Sequence, residues 1–327
     1  MALVDVIVPV FNTQVEYVTE AMKSLREQTF ADWHAWIVDD GSDPDYGKRL
    51  QELLTALQDN RVTYLFTPHK GASGSRNVAM ERGTAPYIGF LDSDDYWLPH
   101  HLERQIGLLE GDPAMTLVHG YFEVIDSNGQ EVVPAPPFDG LNELDNTQSF
   151  VKMLKENFVG ASTVVVRRSM IEKVSGFDAT FPSLADKEMW LRMLNENAQF
   201  HYVPESSVLY RVHPGNISKN TDLLLATRRR IIDKAAALVA TNARYANIDW
   251  PSIKKEMVRH MYREAAEVHF AQGRYSKAIK YGAPWFSGLS QRSCMIVLRS
   301  FSGLLLGYLT ATVHDLSAFV ASIGADR

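Results

Sequence analysis

Tyr87-Ile88-Gly89-Phe90-Leu91-Asp92-Ser93-Asp94-Asp95 is the stretch that decides how this chain is read. An apolar run with the pattern of a buried strand stops abruptly in three carboxylates within four residues. Such a cluster repels itself unless a cation sits among it. Hard divalent ions such as Mg²⁺ or Mn²⁺ favour carboxylate oxygens, and usually take one or two together with a substrate's phosphates. The carboxyl ends of strands are also where ligands collect in open α/β sheets. The competing reading is an acidic turn capping the next helix, since Asp is common at caps.

Upstream of this stretch, strand and helix patterns alternate. Val4–Val10, Trp33–Val38 and Val62–Phe66 read as strands, while Val15–Gln28, Tyr46–Leu57 and Ser73–Arg82 carry helical spacing. This order predicts an α/β fold with a mostly parallel, Rossmann-like sheet and helices on both faces. Pro99–Leu109 supplies a further helix, with proline at its first turn. Strands are expected at Leu117–Ile125, Ser162–Val166 and Phe200–Val212, a hairpin turn at Ser127-Asn128-Gly129, and a loop over Pro134–Asn146. Beyond Asn220 the pattern turns helical, at Leu223–Thr241, Ile253–Gln272, Tyr275–Phe286 and Met295–Ile323. The expected division is a ligand-binding domain over 1–219 and a C-terminal all-helical extension over 220–327.

Composition sets outer bounds. The 327 residues suffice for one large domain or two, and 46% apolar with 22% charged residues suits a soluble globular protein. A single cysteine, Cys294, excludes a disulfide framework or a cysteine zinc site within one chain and suits a reducing cytoplasm. The N-terminus runs into a strand pattern with no basic signal-peptide region, so a cytoplasmic location is expected. The net charge of −6 divides unevenly: residues 1–219 carry −13 and residues 220–327 carry +7. A basic C-terminal part suits an anionic membrane surface or partner. No nucleic-acid partner is expected.

In a parallel sheet, Pro9-Val10-Phe11-Asn12, Asp39-Asp40-Gly41-Ser42 and Asp92-Ser93-Asp94-Asp95 end on one edge and share one crevice. Gly71-Ala72-Ser73-Gly74-Ser75-Arg76-Asn77 opens a helix whose N-terminus favours an anion. The glycines allow close backbone approach, and Arg76 adds a planar cationic fork suited to phosphate. Neither the Gly-x-Gly-x-x-Gly fingerprint of dinucleotide-binding folds nor a P-loop is present. Asp39 and Asp40, whose oxygens can accept base N–H or ribose hydroxyl groups, suit a nucleoside instead.

Val6-Ile7-Val8-Pro9-Val10-Phe11-Asn12, Val38-Asp39-Asp40-Gly41-Ser42, Ser75-Arg76-Asn77 and Phe90-Leu91-Asp92-Ser93-Asp94-Asp95 resemble, in order and spacing, the family 2 glycosyltransferases of the GT-A fold. The likeness extends to Asp186-Lys187-Glu188-Met189-Trp190-Leu191-Arg192 and Tyr210-Arg211-Val212-His213-Pro214-Gly215-Asn216, and so spans roughly residues 3–218. It implies a nucleotide-diphosphate sugar donor, with a UDP-sugar the leading candidate, held by Pro9, Phe11, Asn12, Asp39, Asp40, Gly71, Arg76, Asn77, Asp92 and Ser93. Asp39 would meet the base and Asp40 would lie near the ribose. Asp92-Ser93-Asp94 matches the family's Asp-x-Asp motif. Asp94 would bind Mn²⁺ or Mg²⁺, Asp92 the ribose or a metal-bound water, and His213 would supply a further ligand.

Relatives usually read Glu-Asp-x-Asp/Glu before the apolar residue and tryptophan, whereas here the glutamate position is Ala185. Asp186 would be the catalytic base of an inverting transfer to an acceptor hydroxyl, with Glu188 the alternative. Two residues apart on a helix, those side chains diverge by roughly 200° and cannot both face one pocket. A glycan or lipid-linked acceptor in cell-envelope polysaccharide synthesis is the expectation. Ser300–His314 carries no charge with histidine neutral, and contains Gly303 and Gly307. It is shorter than the ~20 residues of a spanning helix, and reads as an interfacial helix on the inner face of the cell membrane or a contact between copies. The competing functions are a nucleotidyltransferase on the same fold and a catalytically inactive sugar-nucleotide-binding or scaffold protein.

Overall fold

A strand of seven consecutive buried residues, as Val4–Val10 proves to be, needs cover on both faces. The computed structural model describes residues 2–132, 137–216 and 220–271, with a few single positions up to 281. In chain order the strands are β1 (Val4–Val10), β2 (Trp33–Asp39), β3 (Val62–Phe66), β4 (Tyr87–Phe90), β5 (Tyr96–Trp97), β6 (Met115–Ile125), β7 (Val165–Arg167) and β8 (Gln199–Arg211). The helices are α1 (Val15–Arg26), α2 (Pro44–Ala56), α3 (Gly71–Arg82), α4 (His101–Gly111), α5 (Asn146–Lys155), α6 (Arg168–Lys173), α7 (Ala185–Asn195), α8 (Thr221–Thr241) and α9 (Trp250–Ala271).

The eight strands form one sheet in the order β3-β2-β1-β4-β7-β6-β8-β5. The first four pair in parallel, as expected. The other half is mixed, since β7 runs antiparallel to β4 and β6 while β6 and β8 are parallel. Alternation along β1 sends Val4, Val6, Val8 and Val10 into a core shared with α1, α2 and α4. Ile7 faces the opposite core, built with α3, α5, α7 and α8.

The pairing also shows where the sheet opens. β1 stays in register with β2 as far as Val10 opposite Asp39, but with β4 only as far as Ile7 opposite Phe90. Pro9 has no N–H to continue a ladder. The two strands part there, at the point where chain order reverses and crevices form in such sheets.

One expectation is corrected. Residues 161–163 form a 3-10 turn rather than the start of a strand, because Ser162 turns its hydroxyl onto Asp95. By compactness the chain divides into one unit over Met1–Met261 and another over Tyr262–Arg327. Ile231, Ile232 and Ala235 of α8 lie in the same core as Trp190. Arg230 donates to both oxygens of Thr180 at 2.6 and 2.7 Å, and Ser183 bonds Thr227 at 2.9 Å. A helical pattern reveals an element's type but not which core it joins. The helix expected at 275–286 is described only at Lys277, Lys280 and Tyr281, and the one expected at 295–323 lies outside the described residues, as does the uncharged stretch 300–314. Among the described residues no helix is long and apolar enough to cross a membrane.

Two fully buried rings give this body a pH dependence. Burial pushes His101, beside Ser207 and Gln105, and His119, between Phe158 and Tyr202, down to about 3. The unfolded chain takes a proton near pH 6.5 that the folded chain refuses until about pH 3. Stability therefore falls as pH drops through that window, by up to about 1.4 kcal/mol per pH unit for each ring. Urea melts at pH 7 and pH 5 should show this loss, and His101→Gln should remove one ring's share of the slope.

Candidate active site

The expected acidic residues at 39–40 and 92–94 follow from their place at the ends of β2 and β4. Asp39, the last residue of β2, is wholly buried: its Oδ1 accepts the Ser42 N–H at 2.9 Å and its Oδ2 the Tyr64 hydroxyl at 2.8 Å. Asp40 accepts the Lys70 N–H and the Ser75 hydroxyl on Oδ1, at 2.8 and 2.7 Å, and faces His69 Nδ1 with Oδ2 at 2.8 Å. The pair ties the 40–42 turn to the start of α3. Asn12 joins the same turn, taking Ser42 Oγ on its N–H and Asp43 N–H on its Oδ1, both at 3.0 Å.

Gly41 has φ +72°, and a Cβ there would stand 2.7 Å from the His69 backbone nitrogen. Both features demand glycine. Gly41→Ala should cost about 1–3 kcal/mol, read as a fall in melting temperature.

Phe11, half exposed at the end of β1, lies against the His69 ring with centroids 4.3 Å apart. Gly71, at φ +75°, opens α3 with free space where a side chain would stand.

On the β4 side, Ser93 bonds Thr13 at 2.8 Å and so bridges the ends of β1 and β4. Asp92 is ion-paired with the buried Arg76, whose Nε has no hydrogen-bond partner. Asp94 Oδ2 lies 2.8 Å from His213 Nε2, which β8 delivers from the far side of the sheet. The Gly215 N–H donates to His213 Nδ1 at 3.1 Å, so the ring proton sits on Nε2 and points at Asp94. Burial, with Asp92 adding repulsion, pushes the Asp94 carboxyl up despite His213.

Asp186 stands in the first turn of α7, two residues after Leu184, which is held at φ +53°. A left-handed leucine is strained, and such strain persists where packing fixes a geometry. Burial pushes the Asp186 carboxyl up. The Lys187 N–H, Arg76 and Asn157 pull it down, and the charge of Asp92 adds to the rise. Asp186 thus shares a field with Arg76 and Asp92, whereas Asn157, exposed, reaches its Oδ2 from the solvent side at 3.4 Å. Two α7 side chains hold the segment carrying Asn157: Lys187 Nζ bonds Leu154 O at 3.0 Å and Trp190 Nε1 bonds Val159 O at 3.2 Å.

Other expected residues serve different duties. Glu188, named as the alternative base, is buried and grips Arg192 with both oxygens at 2.8–3.1 Å, and Lys234 of α8 at 2.8 Å. Both amide atoms of Asn77 are spent on the Phe177 backbone, at 2.9 and 3.0 Å, which fixes the approach to α7. Ala185 lies in the core. Sequence reading passed over Tyr64, His69, Ser162, Arg211, Asn157 and Lys234. Each acts on a residue at least 25 positions away, and only the acidic turn itself gave a local signal.

A curled α/β sheet with an acidic, arginine-bearing crevice at its parallel strand ends has the architecture of the GT-A fold. The comparisons agree. The family model for glycosyl transferase family 2 matches residues 5–175. The UDP-Glc:α-D-GlcNAc-diphosphoundecaprenol β-1,3-glucosyltransferases WfgD and WfaP of Escherichia coli are each 29% identical. The matches cover 60% of this chain and 71% of WfgD, and 67% of this chain and 81% of WfaP. Among solved structures, the mannosyltransferase PcManGT of Pyrobaculum calidifontis, in complex with GDP-Man and Mn²⁺, superposes with TM-score 0.61 at 16% identity, over 98% of this chain and 86% of its own. TarS of S. aureus in complex with UDP-GlcNAc gives 0.60 at 18% identity, over 89% and 77%. The chain belongs to glycosyl transferase family 2.

Proposed function

We propose that the crevice binds a nucleotide-diphosphate sugar with a divalent cation and passes the sugar, with inversion, to an acceptor hydroxyl that Asp186 deprotonates. The observation that carries this reading is electrostatic. The charges of Arg76 and Asp92 act on Asp186, and Arg76 is ion-paired with Asp92, which supports a proton acceptor and an anion-binding cation working side by side.

The donor set fits a cation in part. Neighbouring ligands on an octahedral ion with bonds of about 2.1 Å lie about 3 Å apart, and Asp94 Oδ2 and His213 Nε2 stand at 2.8 Å. Among the described residues no three His, Cys, Asp or Glu already surround one point. Asp94 and His213 would hold Mn²⁺ or Mg²⁺, with diphosphate oxygens and water as the other ligands. Cation binding at His213 requires the proton on Nε2 to leave. When bound, the cation offsets negative charge growing on the departing diphosphate.

The chain's own groups do the rest. Arg76 faces that charge with a buried guanidinium. Phe11, backed by His69, offers an exposed ring face to the base, and Asp39 and Asp40 hold the loops around the nucleoside. Asp186 takes the acceptor proton. Its raised carboxyl is a stronger base than a free aspartate. The acceptor enters beside Asn157, opposite Arg76 and Asp92, and attack from that face inverts the anomeric carbon.

A UDP-sugar donor and a diphospholipid-linked glycan acceptor are the substrates that the activities of the two E. coli relatives support. The basic C-terminal part would then lie on an anionic membrane surface or against a second copy. Against a nucleotidyltransferase stands Asp186, a carboxylate in the first turn of α7 that suits a base for an acceptor hydroxyl.

The test is a melting-temperature screen of UDP-Glc, UDP-GlcNAc and GDP-Man with and without Mn²⁺, followed by transfer to a synthetic α-D-GlcNAc-diphosphate lipid. A β-linked product from the α-linked donor is expected. Retained anomeric configuration, or no Mn²⁺-dependent donor shift, would refute the reading. Asp94→Asn should weaken Mn²⁺-dependent UDP binding at least tenfold, about 1.4 kcal/mol, by calorimetry.

A further inference from the structure

Asp95, the third acid of the turn, takes no part in the mechanism above, yet it is the most deeply buried of the three, at 1% exposure. A carboxylate so enclosed is retained only if its oxygens are satisfied. Its Oδ2 accepts the Ser162 hydroxyl at 2.6 Å, and its Oδ1 accepts the Arg211 N–H at 2.9 Å. Each partner leads back to the donor pocket. Ser162 Oγ in turn accepts the Asp92 N–H at 3.1 Å. Arg211, also 1% exposed, donates Nε to the Asp94 carbonyl at 3.0 Å and precedes His213 by two residues. Its guanidinium lies 4.3 Å over the Tyr17 ring and is ion-paired with Glu20, which anchors it to α1.

We propose that Asp95 is the positioning residue of the donor pocket, a buried carboxylate that sets Asp92, Asp94 and His213 in one mutual geometry by joining the 3-10 turn at 161–163 to the end of β8. The two oxygens divide the work. Oδ2, through Ser162, fixes the backbone of Asp92. Oδ1 fixes the end of β8, from which Arg211 holds Asp94 and His213 emerges. Asparagine at 95 could still accept from Arg211 but would leave the Ser162 hydroxyl without an acceptor, so Asp95→Asn loosens the Asp92 arm while preserving shape. The proposal rests on the reading of these strand ends as the donor pocket.

The experiment compares wild type, Asp95→Asn, Ser162→Ala and Asp5→Asn by calorimetric titration with UDP in the presence of Mn²⁺, at a temperature where circular dichroism shows all four folded. Asp5 is the control for buried-carboxylate loss as such. It is 3% exposed at the opposite end of β1 and bonded to Trp36, Ala85 and Arg168. The expected result is UDP affinity at least tenfold weaker in Asp95→Asn, weakened in the same direction by Ser162→Ala, and unchanged in Asp5→Asn despite a lower melting temperature. Wild-type affinity in Asp95→Asn, or an equal loss in Asp5→Asn, overturns the positioning role. A wild-type protein that binds no UDP with Mn²⁺ overturns the donor-pocket reading and this proposal together.

Discussion

Asp186→Asn should lower the transfer rate constant by about 10²–10⁴-fold, the range expected for losing a general base, while UDP affinity with Mn²⁺ stays close to wild type. The asparagine keeps the shape and the hydrogen bond from Asn157 but cannot take a proton. A second measurement separates this outcome from misfolding. Because burial pushes the Asp186 carboxyl up, its ionised form costs stability at neutral pH. The neutral amide should therefore melt at or above the wild-type temperature, as when a group is kept for activity at the expense of stability. Glu188→Gln should behave in the opposite way, losing stability through the weakened Arg192 and Lys234 pairs while retaining most activity. Full transfer by Asp186→Asn would remove Asp186 from the mechanism.

Trp190→Ala should be the most damaging single change to the fold, costing about 3–5 kcal/mol in urea unfolding. The side chain is fully buried on the inner face of α7, in the core that also holds Phe90, Phe177 and Ile231. Its indole N–H is the donor to Val159 O, so truncation empties a large volume and leaves a buried carbonyl without that partner. The same bond helps hold the segment carrying Asn157 beside Asp186. Activity per folded molecule should fall along with stability, and a variant stable to within about 1 kcal/mol would contradict this account.

Much of the fold was written in local pattern. Seven buried residues in β1, the helical spacing of α1 to α4 and the acidic stops at Asp39-Asp40 and Asp92–Asp95 are each contained in about a dozen residues. Parallel pairing then puts those stops on one edge, so the crevice could be placed before any contact was known. The second half of the sheet was less legible. Antiparallel β7 between β4 and β6 follows from long-range pairing, and the 3-10 turn before it follows from one hydroxyl meeting a carboxylate 67 positions away. The helical pattern of α8 carried no sign that its Lys234 would reach Asp178 and Glu188, at 2.6 and 2.8 Å.

The sequence by itself determined the fold class, the family and the kinds of residue that gather at the strand ends, because periodicity and residue chemistry are local properties. Only the tertiary structure decided how those residues divide their work. Asp186 meets Arg76 and Asp92 while Glu188 is locked to α8, His213 is brought to Asp94, and Asp95 is turned inward to bind the turn together. The reason is physical: a carboxylate's role is set by which donors reach its oxygens and how much water they displace, and in this protein most of those donors come from distant parts of the chain.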